Sequence, residues 1–394
     1  MKKKILYIVR RGLLEFEYVL PILQKFSSRY EICTIFLNYK SYKSLKSNPY
    51  LLSKWKKLNK KFYIQKKYHF IFLKFLRYIL HSINITSLTK IKKDINSRLH
   101  NPEVLINKVK LNDLNEIKYI ITEYGNFSIW IKNFYELAIR PKIIYFPSSP
   151  QIFLNKKKIN EKKKKLYGDL LLNISDREKN FWSAFIDKKK IKPIGVPYFN
   201  SNKFYKITKK KKKSLLIALS SHSTLDNDYF FFKNHKSLFD KLVKLKNVRI
   251  IIKPHPFKQS QKMNNLIFLY QKLYKNFFVS NKLISELCKT TDAMVCNLDT
   301  SASIYGLLYK LPIIGFPFKN HKNNIITDNQ KLGFIQKTNS LSDFLKKINS
   351  ALYRTNSHVW LNQQKNFKRC YFKKKHSINQ IIQVIEKYKY ERNN

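Results

Sequence analysis

Along this chain the hydrophobic positions gather into short, nearly unbroken runs set apart by polar stretches. Ile5 to Val9, Tyr30 to Leu37, Lys118 to Thr122, Lys142 to Phe146, Asp169 to Ile174 and Leu215 to Leu219 are the clearest of these runs. Such runs form strands buried on both faces, as in a parallel sheet covered by helices. Between them the period changes. Phe16, Val19, Leu20, Leu23 and Phe26 recur near helical spacing within Leu14 to Phe26 despite Pro21, and Tyr229 to Leu245 predicts another helix. Asp343 onward places Phe344, Leu345, Ile348 and Leu352 at core spacing, and Ile378 to Tyr388 predicts a last helix. Strand and helix alternating in this way predict an α/β protein. The β-α-β opening is Rossmann-like but lacks the glycine fingerprint, which argues against a dinucleotide there.

The stretch from Val248 to Phe316 concentrates the candidate chemistry. It reads V-R-I-I-I-K-P-H-P, then a helical spacer, then D-A-M-V-C-N-L-D-T-S-A-S-I-Y-G-L-L-Y-K-L-P-I-I-G-F. Each apolar run stops abruptly at polar residues. Ligands of open α/β sheets bind beyond the carboxyl ends of the strands, so Lys253, His255, Asp299, Thr300, Ser301 and Ser303 are expected on one rim, across two neighbouring strand ends. Lys253 and His255 can supply positive charge and N–H donors. Thr300, Ser301 and Ser303 begin a helix running to about Tyr309, whose free N–H groups favour an anion. Pro254 and Pro256 restrict the backbone around His255. Either motif alone is more often a turn or a helix cap; the two together at this separation suit a phosphate or diphosphate. Other strand ends present Glu123, Ser148 with Ser149, Ser175 to Glu178, and Ser220 with Ser221 and His222.

I-I-K-P-H-P (Ile251 to Pro256), D-T-S-A-S (Asp299 to Ser303) with L-P-I-I-G (Leu311 to Gly315), and I-G-V-P-Y-F (Ile194 to Phe199) carry a family resemblance in their order and spacing. The chain resembles the GT-B glycosyltransferase superfamily. Within it, the chain is similar to bacterial capsule and surface-polysaccharide transferases with a His-Pro motif, a group related to CDP-glycerol glycerophosphotransferases and bacterial sialyl- and polysialyltransferases. Many relatives carry a carboxylate for the donor's ribose hydroxyls where this chain has Tyr305, followed by Gly306; Asp299 stands where relatives often have a hydroxyl.

The resemblance implies two Rossmann-like parallel-sheet domains facing a central cleft, with C-terminal helices crossing back. Residues 1–192 would form the acceptor domain, 193–345 the nucleotide-donor domain and 346–394 the crossing helices. It further implies an enzyme that moves a group from a nucleotide-activated donor (CMP, CDP or UDP) to a lipid-linked or polymeric glycan acceptor. Lys253, His255, Thr300, Ser301 and Ser303 would bind donor phosphates, and Ser220, Ser221 and Pro254 the nucleotide. A base would take the acceptor's proton while the cationic rim stabilises the departing phosphate. Glu123 is the first choice of base, with Glu15 and Glu17 in reserve, and His255 is the second catalytic residue. No metal and no cofactor beyond the donor is expected: Asp226-Asn227-Asp228 is read as a helix cap. Two alternatives remain: a UDP-sugar epimerase on the same fold, and a non-enzymatic basic protein that binds nucleic acid or an anionic polymer.

Composition changes this picture in one respect. The 394 residues include 79 Lys and Arg against 24 Asp and Glu, a formal charge of +55. Nucleic acid, an anionic membrane or an anionic polymer could meet that charge. No zinc-finger spacing, RNP-like strand or basic zipper accompanies it, so the nucleic-acid reading has charge but no module. A lysine-rich stretch from Lys54 leads into a segment ending near Ile83, where Lys67, Lys74, Arg77 and His81 edge a wide apolar face holding Phe72 and Phe75. It reads either as a membrane-interface helix, with Lys67, Phe72, Lys74, Phe75 and Arg77 in contact, or as a core helix with snorkelling cations. The lysine runs elsewhere also read as solvated loops. The first residues, M-K-K-K-I-L-Y-I-V-R-R, have too short an apolar run for a signal peptide and are read as the first strand. No run suits a bilayer span, and Cys33, Cys288, Cys296 and Cys370 show no zinc or disulfide spacing. The expected location is cytoplasmic, peripheral on the inner face of the cytoplasmic membrane.

Overall fold

The computed structural model describes residues 2–10, 13–64, 114–123, 129–146, 165–195, 197, 212–219, 236–245, 247–255, 261–297, 300, 302–316, 331–371 and 377–388. The chain divides into two compact units, one of residues 1–149, 155–201 and 374–394, the other of 150–154 and 202–373.

The first unit is built on a seven-stranded parallel sheet. Its strands are β1 (Lys4–Val9), β2 (Glu31–Phe36), β3 (Asn59–Ile64), β4 (Ile117–Glu123), β5 (Lys142–Phe146), β6 (Leu170–Asn173) and β7 (Ile191–Pro193), in the spatial order β3-β2-β1-β4-β5-β6-β7. The central strand β1 is buried along its whole length, which is why it carries no polar alternation. Tyr7 lies opposite Thr34 on one side and Ile121 on the other. Helix α1 (Leu13–Phe26) sets Phe16 edge-on to Tyr7, ring centroids 5.3 Å apart, and packs beside α3 (Pro49–Leu58). Between them α2 (Tyr39–Lys46) is capped by Asn38, whose side chain accepts from the Ser41 N–H.

Helix α3 is lysine-rich yet firmly seated: Leu51 and Trp55 are buried, and the Trp55 indole donates to Thr34 Oγ1 at 3.1 Å. Here the sequence reading needs a correction. The lysine-rich stretch from Lys54 is no simple lead-in to a helix, because α3 ends at Leu58 and β3 follows, parallel to β2. Among the described strands β3 stands at the sheet edge, a setting that tolerates Lys61. The rest of that segment, with Lys67, Phe72, Lys74, Phe75 and Arg77, lies outside the described residues.

Among the described residues, helices α4 (Ile129–Tyr135) and α5 (Asp176–Trp182) and the last helix also belong to the first unit. Asp169 anchors the β5–β6 edge. Its carboxylate takes two bonds from Arg140, at 2.6 and 2.8 Å, and a third from the Ile143 N–H at 2.8 Å.

The second unit has five parallel strands: β8 (Lys213–Ala218), β9 (Val248–Lys253), β10 (Phe277–Val279), β11 (Ala293–Cys296) and β12 (Ile313–Gly315), in the order β10-β9-β8-β11-β12. Helices α6 (Gln261–Leu273), α7 (Ile284–Cys288) and α8 (Ala302–Leu308) connect the later strands, so the spacer read as helix alone also contains the short edge strand β10. One core joins Ile250 and Ile252 to Leu266, Tyr270, Val295, Ile314 and Phe344. A Cβ on Gly306 would lie 2.3 Å from Ile313 Cδ1 and 2.8 Å from Met294 Sδ, so any larger residue would require those two side-chain ends to shift.

Helices α9 (Leu341–Tyr353) and α10 (His358–Tyr371) belong to this second unit. The buried Gln363 side chain explains why α10 stays there: it accepts from the Ile313 N–H at 3.0 Å and donates to the Ile313 carbonyl at 2.9 Å, completing the open edge of β12. Only α11 (Ile378–Lys387) belongs to the first unit. Lys142 donates to the carbonyls of Ile385 and Tyr388 at its C-terminal end, and Arg29 pairs with Glu386 at 2.9 Å.

In both sheets the first strand lies between the second and the fourth: β1 between β2 and β4, and β8 between β9 and β11. Each sheet therefore has a switch point, where the chain leaves one edge to build the other, and ligands of such folds bind beyond the strand ends there.

Candidate functional site

In the first unit the switch point brings together Arg10, which follows β1, and Glu123, which ends β4. Glu15 in the first turn of α1 accepts the Arg10 N–H with both oxygens, at 3.1 and 3.2 Å. The Arg10 carbonyl accepts from Asn38 Nδ2 at 3.0 Å and from the Ser41 hydroxyl. A carboxylate and two polar side chains thus hold the Arg10 backbone at the end of β1. Arg10 reaches 4.0 Å from Glu123 Oε2, and the pair is asymmetric: the Arg10 side chain is 44% exposed, that of Glu123 1%. Glu15 and Glu17 are also buried. Beneath them the Tyr7 hydroxyl is buried with no hydrogen-bond partner among the described residues. Burial, and then the nearby charges of Glu15 and Glu123, push its pKa well up, so it stays protonated.

In the second unit β9 ends at Lys253, whose carbonyl accepts the Leu219 N–H at 3.0 Å and whose ammonium donates to the Pro254 carbonyl at 3.2 Å. His255 follows, partly buried. Burial and the Lys253 charge push its pKa down to about 4. Both effects favour the neutral imidazole at neutral pH over the positive charge the sequence suggested. Beyond β11, the Thr300 N–H donates to the Asn297 carbonyl at 3.3 Å and its hydroxyl accepts from the Ala302 N–H at 3.2 Å.

Ser303 is fully buried and donates to the Thr300 carbonyl at 2.8 Å, so it braces this turn from inside. It does not line an open rim. Tyr305 is buried as well.

The rim also differs in its spacing. The ends of β9 and β11 are not neighbours, because β8 runs between them. With adjacent strands about 4.8 Å apart, Lys253 and Thr300 flank the end of β8 at roughly 10 Å from strand to strand. The two are therefore not on adjacent strand ends as expected, but on either side of a third. Ser220 and Ser221, which follow β8, lie outside the described residues, as do Ser301, Asp299, Ser148, Ser149 and Asp226-Asn227-Asp228. Among the described residues no group of three or more His, Cys, Asp or Glu is placed to hold a metal ion.

No protein-family model matches the sequence, and no curated protein matches it. Solved structures do match in shape. A co-structure of S. aureus MnaA with UDP aligns with a TM-score of 0.59 at 11% identity, covering 98% of this chain and 96% of that one. The UDP-GlcNAc 2-epimerase of Methanocaldococcus jannaschii, in complex with UDP-GlcNAc and UDP, aligns at 0.56 with 12% identity, over 98% and 100%. Spinosyn rhamnosyltransferase SpnG, complexed with spinosyn aglycone, aligns at 0.54 with 10% identity, over 97% and 100%. The chain has the GT-B fold. Nearly the whole length of each matched structure is covered, so both Rossmann-like sheets of a GT-B protein are present here.

Against the GT-B strand order, the sequence-derived residues sort into two groups. Glu123 stands at the switch point of the first sheet. Lys253, Pro254, His255 and Thr300 stand around the end of β8 in the second. Sequence reasoning missed Arg10 and Tyr7. Arg10 had a signal, since it is the first polar residue after β1; Tyr7 had none, because a tyrosine inside a buried strand looks like any other core residue.

Proposed function

We propose that this GT-B chain is a nucleotide-sugar-dependent enzyme of bacterial surface-glycan synthesis, whose second unit binds the nucleotide of the donor and whose first unit carries the proton-transfer chemistry. The observation that carries the reading is the placement of Lys253, His255 and Thr300 around the central strand end of a GT-B second sheet, the position at which such sheets take their ligands. Lys253 offers an ammonium to a phosphate. Ser220, Ser221 and Pro254 are assigned to the nucleotide, and Ser301 to the phosphates.

In transfer, Glu123 takes the proton of an acceptor hydroxyl and the oxygen attacks the donor's anomeric carbon. The bond to the phosphate breaks, and its electron pair leaves with the nucleotide, where Lys253 stabilises the charge. Neutral His255 donates a hydrogen bond to the same phosphate, and the negative charge gathering there favours its taking up a proton from solvent. We assign the acceptor to membrane-associated glycans, since a charge of +55 favours an anionic surface. Lys67, Phe72, Lys74, Phe75 and Arg77 are assigned to that contact, and a position at the inner face of the cytoplasmic membrane follows.

A second reading is specifically favoured by the matched structure that is described as a UDP-GlcNAc 2-epimerase. In that case Glu123 would abstract a proton from the sugar itself, without an acceptor. Proton NMR of the purified protein with a UDP-sugar separates the two. New sugar resonances without acceptor mean epimerisation; release of nucleotide only when glycan acceptor is added means transfer. In either case Glu123→Gln should abolish turnover while nucleotide affinity is retained. Wild-type turnover by Glu123→Gln would remove the base from this site.

A further inference from the structure

Helix α6 (Gln261–Leu273) has two apolar faces where a helix lying on a sheet needs one. Met263, Leu266, Ile267 and Tyr270 enter the core of the second unit. On the outer side Phe268, Leu269 and Leu273 are 58%, 49% and 62% exposed. Single exposed apolar side chains need no explanation, but three large ones on the same helix face form a patch. Lysines accompany it. Lys262 and Lys272 are exposed on the same helix, the Lys272 ammonium lies 4.4 Å from the centroid of the Phe268 ring, and Lys275 follows two residues beyond the helix end. No Asp or Glu occurs anywhere from Lys241 to Ser285.

We propose that the outer face of α6 is a docking surface for an anionic lipid bilayer, with Phe268, Leu269 and Leu273 entering the headgroup boundary and Lys262, Lys272 and Lys275 meeting lipid phosphates. Charge decides between occupants. A second copy of a chain with this excess of cations is repelled from a patch that has no acidic residue to offer it. An anionic polymer would use the lysines but gives the three apolar side chains nothing to enter. A bilayer satisfies both, as amphipathic interfacial helices do. The proposal rests on the membrane-surface part of the function above, but on other residues in the other unit: it gives the second unit its own lipid contact, independent of the segment with Phe72 and Phe75.

The test is flotation of the full chain with vesicles of phosphatidylcholine alone and with phosphatidylglycerol added. The wild type should float with the anionic vesicles, and less so as salt is raised. Phe268→Glu with Leu273→Glu should weaken that partitioning at least about tenfold, since two large apolar side chains lose their burial, while Phe268→Leu retains it. Both sites are exposed, so melting temperatures should not move. Unchanged flotation of the double variant overturns the patch even if Phe72→Glu with Phe75→Glu abolishes binding, which would leave the membrane reading itself intact. A wild type that floats with neither vesicle overturns both. Self-association in sedimentation that the double variant dissolves would assign the patch to a second copy, and binding of RNA or heparin lost in the double variant would assign it to a polymer; either overturns the lipid proposal.

Discussion

His255, proposed as a phosphate contact, sits in surroundings that disfavour its charged form. Its pKa is pushed down from 6.5 to about 4 by burial and by the neighbouring Lys253 ammonium. A histidine with a depressed folded pKa is protonated more readily in the unfolded chain, so its contribution to stability is present above about pH 6.5 and is lost as pH falls towards 4. A phosphate beside the ring reverses the bias, since it favours the imidazolium. The expected outcome is that affinity for a UDP-sugar, whose diphosphate carries no terminal group titrating near neutrality, strengthens between about pH 7 and pH 5 in the wild type. In His255→Gln it should stay flat over that range. Calorimetric titrations at several pH values would decide, and equal slopes in the two proteins would remove His255 from the phosphate. Residue types were legible in the sequence here, but their surroundings were not. Nothing in D-T-S-A-S says that Ser303 turns inward to the Thr300 carbonyl while the Thr300 hydroxyl holds the Ala302 N–H.

Among the elements, the buried strands could be read directly, because a strand covered on both faces is a continuous apolar run. The structure places β1, β2, β4 and β5 within a residue or so of the runs that announced them. Elements stabilised by position were harder. β3 is lysine-rich and β10 is three residues long, and each is a strand because it lies at a sheet edge, where pairing on one side suffices. Arg140 is a similar case: it lies in a connection and gives no sequence signal, yet its side chain and that of Asp169 are almost wholly buried, at 5% and 1% exposure. Removing one partner of such a pair leaves an uncompensated buried charge, which costs about 3–5 kcal/mol. Arg140→Met should therefore lower the melting temperature by many degrees while nucleotide affinity, a property of the second unit, is kept in the folded fraction. An unchanged melting temperature would mean that the β5–β6 edge is held by the sheet alone.

At the scale of the whole molecule, the α/β class and the motifs at the strand ends were legible in the sequence, whereas the order of strands in each sheet was not. Adjacency in a parallel sheet is a long-range property, which is why the ends of β9 and β11 were expected side by side and are instead separated by β8. That separation places Lys253 and Thr300 on either side of the central strand end rather than on adjacent ones. The charge of +55 is also a property of the whole chain, and it will draw any anion weakly; specific binding must be told from that background. The central claim, that the second unit is a nucleotide site, is tested most directly by calorimetry of the purified chain with UDP, CDP, CMP, GDP and inorganic pyrophosphate near physiological salt. The account predicts saturable binding that prefers one nucleotide over the others and over pyrophosphate, weakened about tenfold or more by His255→Ala and by Lys253→Met, each of which loses a hydrogen bond to charged phosphate. Equal, strongly salt-dependent uptake of all five anions, unaltered by either substitution, would contradict it and leave a basic binding protein on a GT-B scaffold.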